Sequence, residues 1–244
     1  SVIYGRKLGD ADGAFQNAQR VFAVAPQDAE NRAELRNLAD MVQDFDSLVA
    51  LYQGRLEDAD EELQAALAWE IADIFDQNLH DPTQARAYYE KVLSLDEAHD
   101  GAFEALHRIL QDESAWEELC ALLNKRVVLV DDAEIKKALL FQVCALNEDV
   151  LGNVEEAIRA YKAVLDLEPD NEQSFAALER LYEVADGWAE LEELLAQQLG
   201  FSEEPARIAE LQFRRGQLMA DKLENADGAV DLFTEVLNQQ PDHG

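Results

Sequence analysis

The stretch NVEEAIRAYKAVLDLEP at residues 153–169 has the pattern of one amphipathic helix. Its apolar side chains recur at spacings of three and four, which places them on one helical stripe. They are Ala157, Ile158, Tyr161, Val164 and Leu165. Pro169 ends the stretch, since proline cannot continue a helix and pushes the residue before it towards extended geometry. We therefore predict a helix here that ends before Pro169.

The same pattern returns at equal offsets, as DPTQARAYYEKVLSLDE at 81–97 and NADGAVDLFTEVLNQQP at 225–241. A second set keeps the same offset and includes Trp116 with Trp188. A degenerate copy precedes the first, with Ala14 in the place of Ala85. Self-similarity at a fixed period is typical of repeat proteins, in which each unit buries its apolar face only against its neighbours. Such arrays mostly bind other molecules.

Fourteen helices are expected, paired as seven helix-turn-helix hairpins, with two hairpins in each 72-residue period. Together they predict an all-α chain with a single domain over residues 1–244. The predicted hairpins span 1–26, 27–57, 59–97, 98–130, 132–169, 170–201 and 203–241.

Polar residues precede several of these helices and are expected to cap them, because their side chains accept hydrogen bonds from unpaired backbone N–H groups. Asn153 with Glu156 has the spacing of a capping box. The expected caps of the helices with the repeated alanine are Asp10, Asp81, Asn153 and Asn225. Ser114 and Asp186 are expected to cap the helices that carry Trp116 and Trp188.

The hairpins resemble those of the tetratricopeptide repeat family, whose repeats are 34-residue helical hairpins. The residues that carry the resemblance are Phe175, Leu178, Tyr182, Leu191 and Leu195 in 170–201, Gly216, Ala229, Phe233 and Pro241 in 203–241, and Ala157, Tyr161 and Pro169 in 132–169. The family's small residue in the first helix is matched to Ala145 and Gly216, whereas Glu179 stands there in another copy. The resemblance implies a right-handed α-solenoid that acts as a non-catalytic scaffold or adaptor for protein–protein interaction.

The resemblance also implies a binding surface, because the first helix of each hairpin lines the concave groove in this family. A partner peptide or helix is expected to lie there. Carried over by position, the expected partner-binding residues are Glu104, Arg108, Gln111, Gln142, Gln173, Arg180, Glu183 and Arg214, with Ala176 and Val184 beside them.

Arg108 and Arg180 repeat at equivalent positions of a chain that has few basic residues. Two interpretations remain open at this point. In one, the arginines grip a carboxylate or an acidic peptide through paired N–H donors. In the other, each arginine pairs with a neighbouring acid across the stack, a contact worth about 0–1 kcal/mol.

The net charge of −32 limits the partner. Nucleic acids and anionic membranes are disfavoured, because both are bound through lysine and arginine. An acidic surface attracts a basic protein partner, although the charge would also serve simply to keep a long array soluble. The apolar runs are too short for membrane insertion.

Chemical sites are not indicated by the sequence. It holds no phosphate-binding loop, nucleophile elbow or zinc-protease motif, and paired acids are expected by chance among 52 carboxylates. The four histidines lack metal-ligand spacing, and Cys120 and Cys144 are too few for a disulfide framework. We expect no enzyme activity, no cofactor and no metal, and a helical core position for Cys144.

The first hairpin begins with a truncated helix, and the last residues, Pro241 to Gly244, stop where the next hairpin would begin. Neither end carries a polar capping helix, so we expect the chain to be part of a longer array. The absence of a signal peptide and of an apolar span favours a cytoplasmic location, although a fragment says little about compartment. Two alternative functions remain: a regulatory or targeting region of a larger enzyme or assembly, and a structural module that self-associates end to end.

Overall fold

The computed structural model describes residues 11–239, which form thirteen α-helices and no β-strand. The helices are α1 (Ala11–Val24), α2 (Ala29–Val42), α3 (Phe45–Leu56), α4 (Glu61–Ile74), α5 (Pro82–Leu95), α6 (Asp100–Asp112), α7 (Trp116–Leu129), α8 (Ala133–Ala145), α9 (Val154–Leu167), α10 (Glu172–Val184), α11 (Trp188–Phe201), α12 (Pro205–Asp221) and α13 (Ala226–Gln239). The first helix expected from the sequence lies outside the described residues, and so does Asp10, the expected cap of α1.

The chain divides into two compact units, of which the first ends at Ala115 and the second begins at Trp116. Within each unit, every helix packs mainly against the helices next to it in sequence. This order of contacts is that of an α-solenoid, so the predicted all-α solenoid architecture is confirmed within each unit. The division between the units falls between α6 and α7, inside the hairpin expected at 98–130.

The repeated small residues lie in the helix crossings. Ala85 and Ala157 have no exposed surface, and Ala229 has almost none, which confirms their predicted burial. At Gly216 even a Cβ atom would lie 2.6 Å from Cε1 of Phe233, so the two helices of this hairpin touch at a glycine. The Phe233 ring packs over Gly216, because interiors fill to near-crystalline density.

At two recurring positions the residues of the repeat are not fully buried. Trp116 and Trp188 are only half-buried, since they stand at the first residue of α7 and α11, where a helix end meets solvent. Ala145 is exposed, whereas Cys144 has no exposed surface and lies one period before Gly216. The small residue at this crossing is therefore Cys144, as its predicted core position requires.

The helix ends follow the repeat as closely as the core does. Residues in the left-handed region (φ 53–67°) recur at His80, Gly152 and Glu224, and again at Gln43, Ser114 and Asp186. The sequence suggested that Ser114 and Asp186 cap the helices that follow them, but they do not. Their positive φ ends the helix before them, where a left-handed residue lets the next amides reach the last carbonyls.

The N-terminal caps agree only in part with the prediction. Asp81 accepts from the backbone N–H of Gln84 at 3.1 Å, and Asn225 accepts from Gly228 at 3.1 Å. Asn153 stands at the expected cap position, but its side chain makes no cap hydrogen bond. Glu156, its expected capping-box partner, instead binds Arg159 one turn later on α9.

Two short π-helical turns extend α4 and α8, at Phe75–Leu79 and Leu146–Leu151. A π-turn inserts an extra residue into the helical register and commonly marks a functional region. Both turns are followed by a left-handed residue. An acidic side chain of each turn, Asp76 or Glu148, binds an arginine of the following hairpin. The apolar periodicity gave no sign of these turns.

Candidate functional site

In the first unit, one carboxylate joins three elements. Asp76 on the first π-turn accepts a hydrogen bond from Nη2 of Arg108 on α6 at 2.5 Å. The hydroxyl of Tyr89 on α5 donates to the same carboxylate oxygen at 3.4 Å. Asp112 lies 3.8 Å from the other side of the Arg108 guanidinium. The charge of Arg108 is thus balanced within the chain.

The second unit repeats this arrangement one period later. Arg180 on α10 is paired with Glu148 on the second π-turn, and the hydroxyl of Tyr161 donates to the other carboxylate oxygen at 3.1 Å. The Arg180 guanidinium, assisted by the Tyr161 hydroxyl, lowers the pKa of Glu148 against the opposing effect of burial. Burial raises the pKa of Tyr89 and of Tyr161, so both phenols stay protonated as donors.

Further ion pairs join the first helices of successive hairpins. In the first unit α2 is tied to α4, through Arg32 with Glu70 at 2.7 Å and Arg36 with Asp73 at 2.5 Å. In the second unit Arg214 on α12 pairs with Glu179 on α10 at 2.6 Å. We refer to the surface formed by α2, α4 and α6 in the first unit, and by α8, α10 and α12 in the second, as the first-helix face of that unit.

Of the two interpretations of the repeated arginines, the structure shows the second. Arg108, Arg180 and Arg214 each bind an acid of the neighbouring hairpin. About half of the Arg108 side chain remains exposed (49%), whereas its partner Asp76 is nearly buried (11%). The arginines therefore connect neighbouring hairpins through ion pairs.

The other predicted residues are all exposed on these helices. Glu104 and Gln111 lie on α6 in the first unit, while Gln142 lies on α8 in the second. Gln173 and Glu183 lie on α10, one near each end. The eight predicted residues thus divide between the two units, with Glu104, Arg108 and Gln111 in the first and the other five in the second.

Sequence reasoning missed a cavity of about 840 Å³ in the first unit. Trp69 and His99 line it together with the acids Asp60, Glu61, Glu62, Glu70 and Asp96. The two rings lie against each other, with centroids 4.8 Å apart. His99 also caps α6, its Nδ1 accepting from the N–H of Ala102 at 3.1 Å. The excess of acids around Trp69 was the signal in the sequence.

Residues 11–239 lack two kinds of feature. No three His, Cys, Asp or Glu side chains in this part of the chain are grouped as metal ligands. None of its helices combines the length and the apolar character that crossing a membrane requires.

The family model described as "Tetratricopeptide repeat" matches residues 69–99 and 151–171. These segments contain Tyr89 and Tyr161, the two tyrosines that donate to the π-turn acids, and the resemblance seen in the sequence is confirmed. Among curated proteins, none matches this chain. Repeats of this family serve as protein-interaction scaffolds and are in general non-catalytic.

Three solved structures illustrate what this chain is similar to. YrrB, described as having an unusual peptide-binding site, is 16% identical, with 79% of this chain and 93% of YrrB covered and a TM-score of 0.36. A tetratricopeptide repeat protein from Parabacteroides merdae is 14% identical, with 98% and 90% covered and a TM-score of 0.40. MamA is 18% identical, with 72% and 92% covered and a TM-score of 0.35.

Proposed function

Because two segments of this chain match the tetratricopeptide repeat family model, we propose that it is a scaffold whose first-helix face binds a basic segment of a partner protein. The segment is a peptide or helix rich in lysine and arginine, lying in the groove that the first helices line. The chain contributes binding and positioning, and no chemistry.

The observation that carries this proposal is the internal pairing of the arginines on that face. Since Arg108, Arg180 and Arg214 are each bound to a carboxylate of the neighbouring hairpin, their charge is already balanced. Glu104 and Glu183 have no ion-pair partner among residues 11–239 and are exposed. The unbalanced charge of the face is therefore negative, which favours cations over carboxylates.

The net charge of the chain also favours a positively charged partner. With 52 acidic and 20 basic residues, the long-range field attracts basic proteins and raises their rate of encounter. The ion pairs between hairpins add rigidity to the face. A preorganised surface binds more tightly because less conformational entropy is lost on association.

The test is selection from a random peptide library displayed on phage, using the purified chain as bait. We expect the selected peptides to be enriched in lysine and arginine. They should lose binding to the variant Glu104→Lys/Glu183→Lys, which reverses the charge on the face in both units.

A matched control reverses two exposed acids away from the first helices, Glu57 at the end of α3 and Asp166 on α9. Glu57→Lys/Asp166→Lys changes the net charge by the same amount and should retain the selected peptides. Enrichment of acidic peptides, or equal loss of binding in both double variants, would contradict the proposal.

A further inference from the structure

The cavity of the first unit has a carboxylate at each of two edges. Glu62 projects from the first turns of α4, and Asp96 follows the last residue of α5. Ala65 on α4 also lines the cavity, and Trp69 lines it one turn later. Neither Glu62 nor Asp96 has an ion-pair partner among residues 11–239, although Asp96 accepts from the backbone N–H of Ala98.

The same place in the second unit shows what such carboxylates bind. One period after Glu62, Ala65 and Asp96 stand Glu134, Lys137 and Glu168. The ammonium of Lys137 lies 3.0 Å from a carboxylate oxygen of each of these two acids. The two copies of the repeat therefore have the same pair of acids, but only in the second does a lysine of the chain lie between them. The cation that lines the cavity of the first unit, Arg32, is paired with Glu70 instead.

The pKa shifts in the second copy agree with the ion-pair geometry. Hydrogen bonds to Glu168 and Glu134 raise the pKa of Lys137. In return, Lys137 and then Asn171 lower the pKa of Glu168. Each group thus stabilises the charged form of the other, which is the behaviour of a bound ion pair.

We infer that the cavity of the first unit receives a lysine side chain from the partner, with its ammonium between Glu62 and Asp96. This inference rests on the proposed function and specifies it: it names the residue type recognised and the place that receives it. The partner's lysine takes the position that Lys137 occupies in the second unit, where alanine at residue 65 leaves room.

The aromatic lining suits the same occupant. Trp69 stands where the second unit has Phe141, and tryptophan attracts cations more strongly than phenylalanine does. The methylene groups of a lysine stem would pack against the Trp69 ring and Leu95, while the ammonium remains at the acidic edge. A cavity of about 840 Å³ holds such a side chain with part of the backbone that carries it.

The experiment measures the fluorescence anisotropy of fluorescein-labelled hexalysine titrated with the chain at about 150 mM salt, where long-range attraction is screened. Ala65→Lys supplies an internal ammonium, as Lys137 does. We expect it to weaken binding about tenfold, the equivalent of one charged contact. Ala23→Lys, at an exposed position of α1, adds the same charge and should change the affinity less than about twofold.

Two further variants keep the result independent of how Ala65→Lys folds. Glu62→Gln/Asp96→Asn removes both charges without adding volume, and should weaken hexalysine binding to a similar extent. Lys137→Ala should create a second site and raise the stoichiometry from one hexalysine to two. Equal effects of Ala65→Lys and Ala23→Lys, or an unchanged stoichiometry for Lys137→Ala, would overturn the inference.

The two proposals fail separately. If these hexalysine results are negative while the library peptides still respond to Glu104→Lys/Glu183→Lys, only the lysine cavity is wrong. If the library peptides ignore that variant, the first-helix face is wrong whatever the hexalysine results are.

Discussion

The guanidinium of Arg180 is ion-paired with the carboxylate of Glu148, and the exposed fractions of the two side chains differ widely, at 59% and 13%. The shielded partner is thus the acid, which also receives the Tyr161 hydroxyl. Arg108 and Asp76 repeat the relationship in the first unit. A buried carboxylate that has lost its cation costs more than an exposed guanidinium that has lost its acid.

This asymmetry predicts unequal effects of removing each partner. Arg180→Gln leaves Glu148 shielded and without its cation, and should lower the free energy of unfolding by about 1–2 kcal/mol. Glu148→Gln retains an acceptor for Tyr161 and leaves Arg180 in solvent, and should cost less than about 1 kcal/mol. Urea denaturation of both variants checks the order. A larger loss for Glu148→Gln would contradict it.

The stability contributed by Glu148 should depend on pH. Its pKa in the folded chain is lowered, mainly by Arg180, so its contribution is fully present above the unfolded value of about 4.3. That contribution is lost as the pH falls through the lower, folded pKa. The difference in unfolding free energy between the wild type and Glu148→Gln should therefore shrink below about pH 4. A difference that stays constant down to pH 2 would exclude this linkage.

Gly216 should not tolerate even a methyl group. The Cβ atom of Gly216→Ala would lie 2.6 Å from the Phe233 ring, which is itself packed against Phe213 with centroids 5.5 Å apart. We expect a loss of about 1–3 kcal/mol from overpacking, despite the better helix propensity of alanine. Gly200→Ala is the control, since nothing lies within 4 Å of its Cβ, and it should be neutral or slightly stabilising.

Enlargement of Ala157 and of Ala145 should have unequal effects on stability. Ala157 has no exposed surface at the crossing of α9, so Ala157→Leu should destabilise the chain by about 1–3 kcal/mol. Ala145, at the exposed end of α8, should accept leucine within about 0.5 kcal/mol. Thermal unfolding measures both. Equal melting temperatures for the two variants would show that Ala157 is not a crossing residue.

Cys144 should be unreactive in the folded chain. Burial, with a smaller contribution from the charge of Glu148, raises the pKa of its thiol to about 12. Only the thiolate reacts, so labelling by a disulfide reagent at pH 8 should be at least about 10³-fold slower than for an exposed cysteine. The measurement uses Cys120→Ala, which leaves one thiol, and denaturing urea as the positive control. Rapid labelling without urea would contradict the burial.

Much of this architecture could be predicted from short-range patterns. The burial of Ala157 and Ala229 followed from their recurrence at one helical position. The π-turn at Leu146–Leu151 could not be predicted, because a single inserted residue leaves the apolar stripe of α8 intact up to its end. That turn places Glu148 beside Arg180, so the ion-pair partner of this arginine could not be predicted either.

The candidate lysine cavity shows the same limit to what the sequence alone can predict. The period of the repeat aligns Ala65 with Lys137, and this alignment can be read from the sequence. The alignment indicates a lysine site only once the structure shows Glu134 and Glu168 around the Lys137 ammonium. The sequence does not bring these two acids together, because one lies at the start of α8 and the other just after the end of α9.

By itself, the sequence determined the helical hairpins, their period and the residues at the crossings. These depend on apolar spacing within one helix and on contacts between neighbouring helices, both of which repeat along the chain. The tertiary structure decided which charges are balanced and where a cavity remains. Ion pairs and cavities depend on short distances between residues of different helices, and such distances are set only when the hairpins pack.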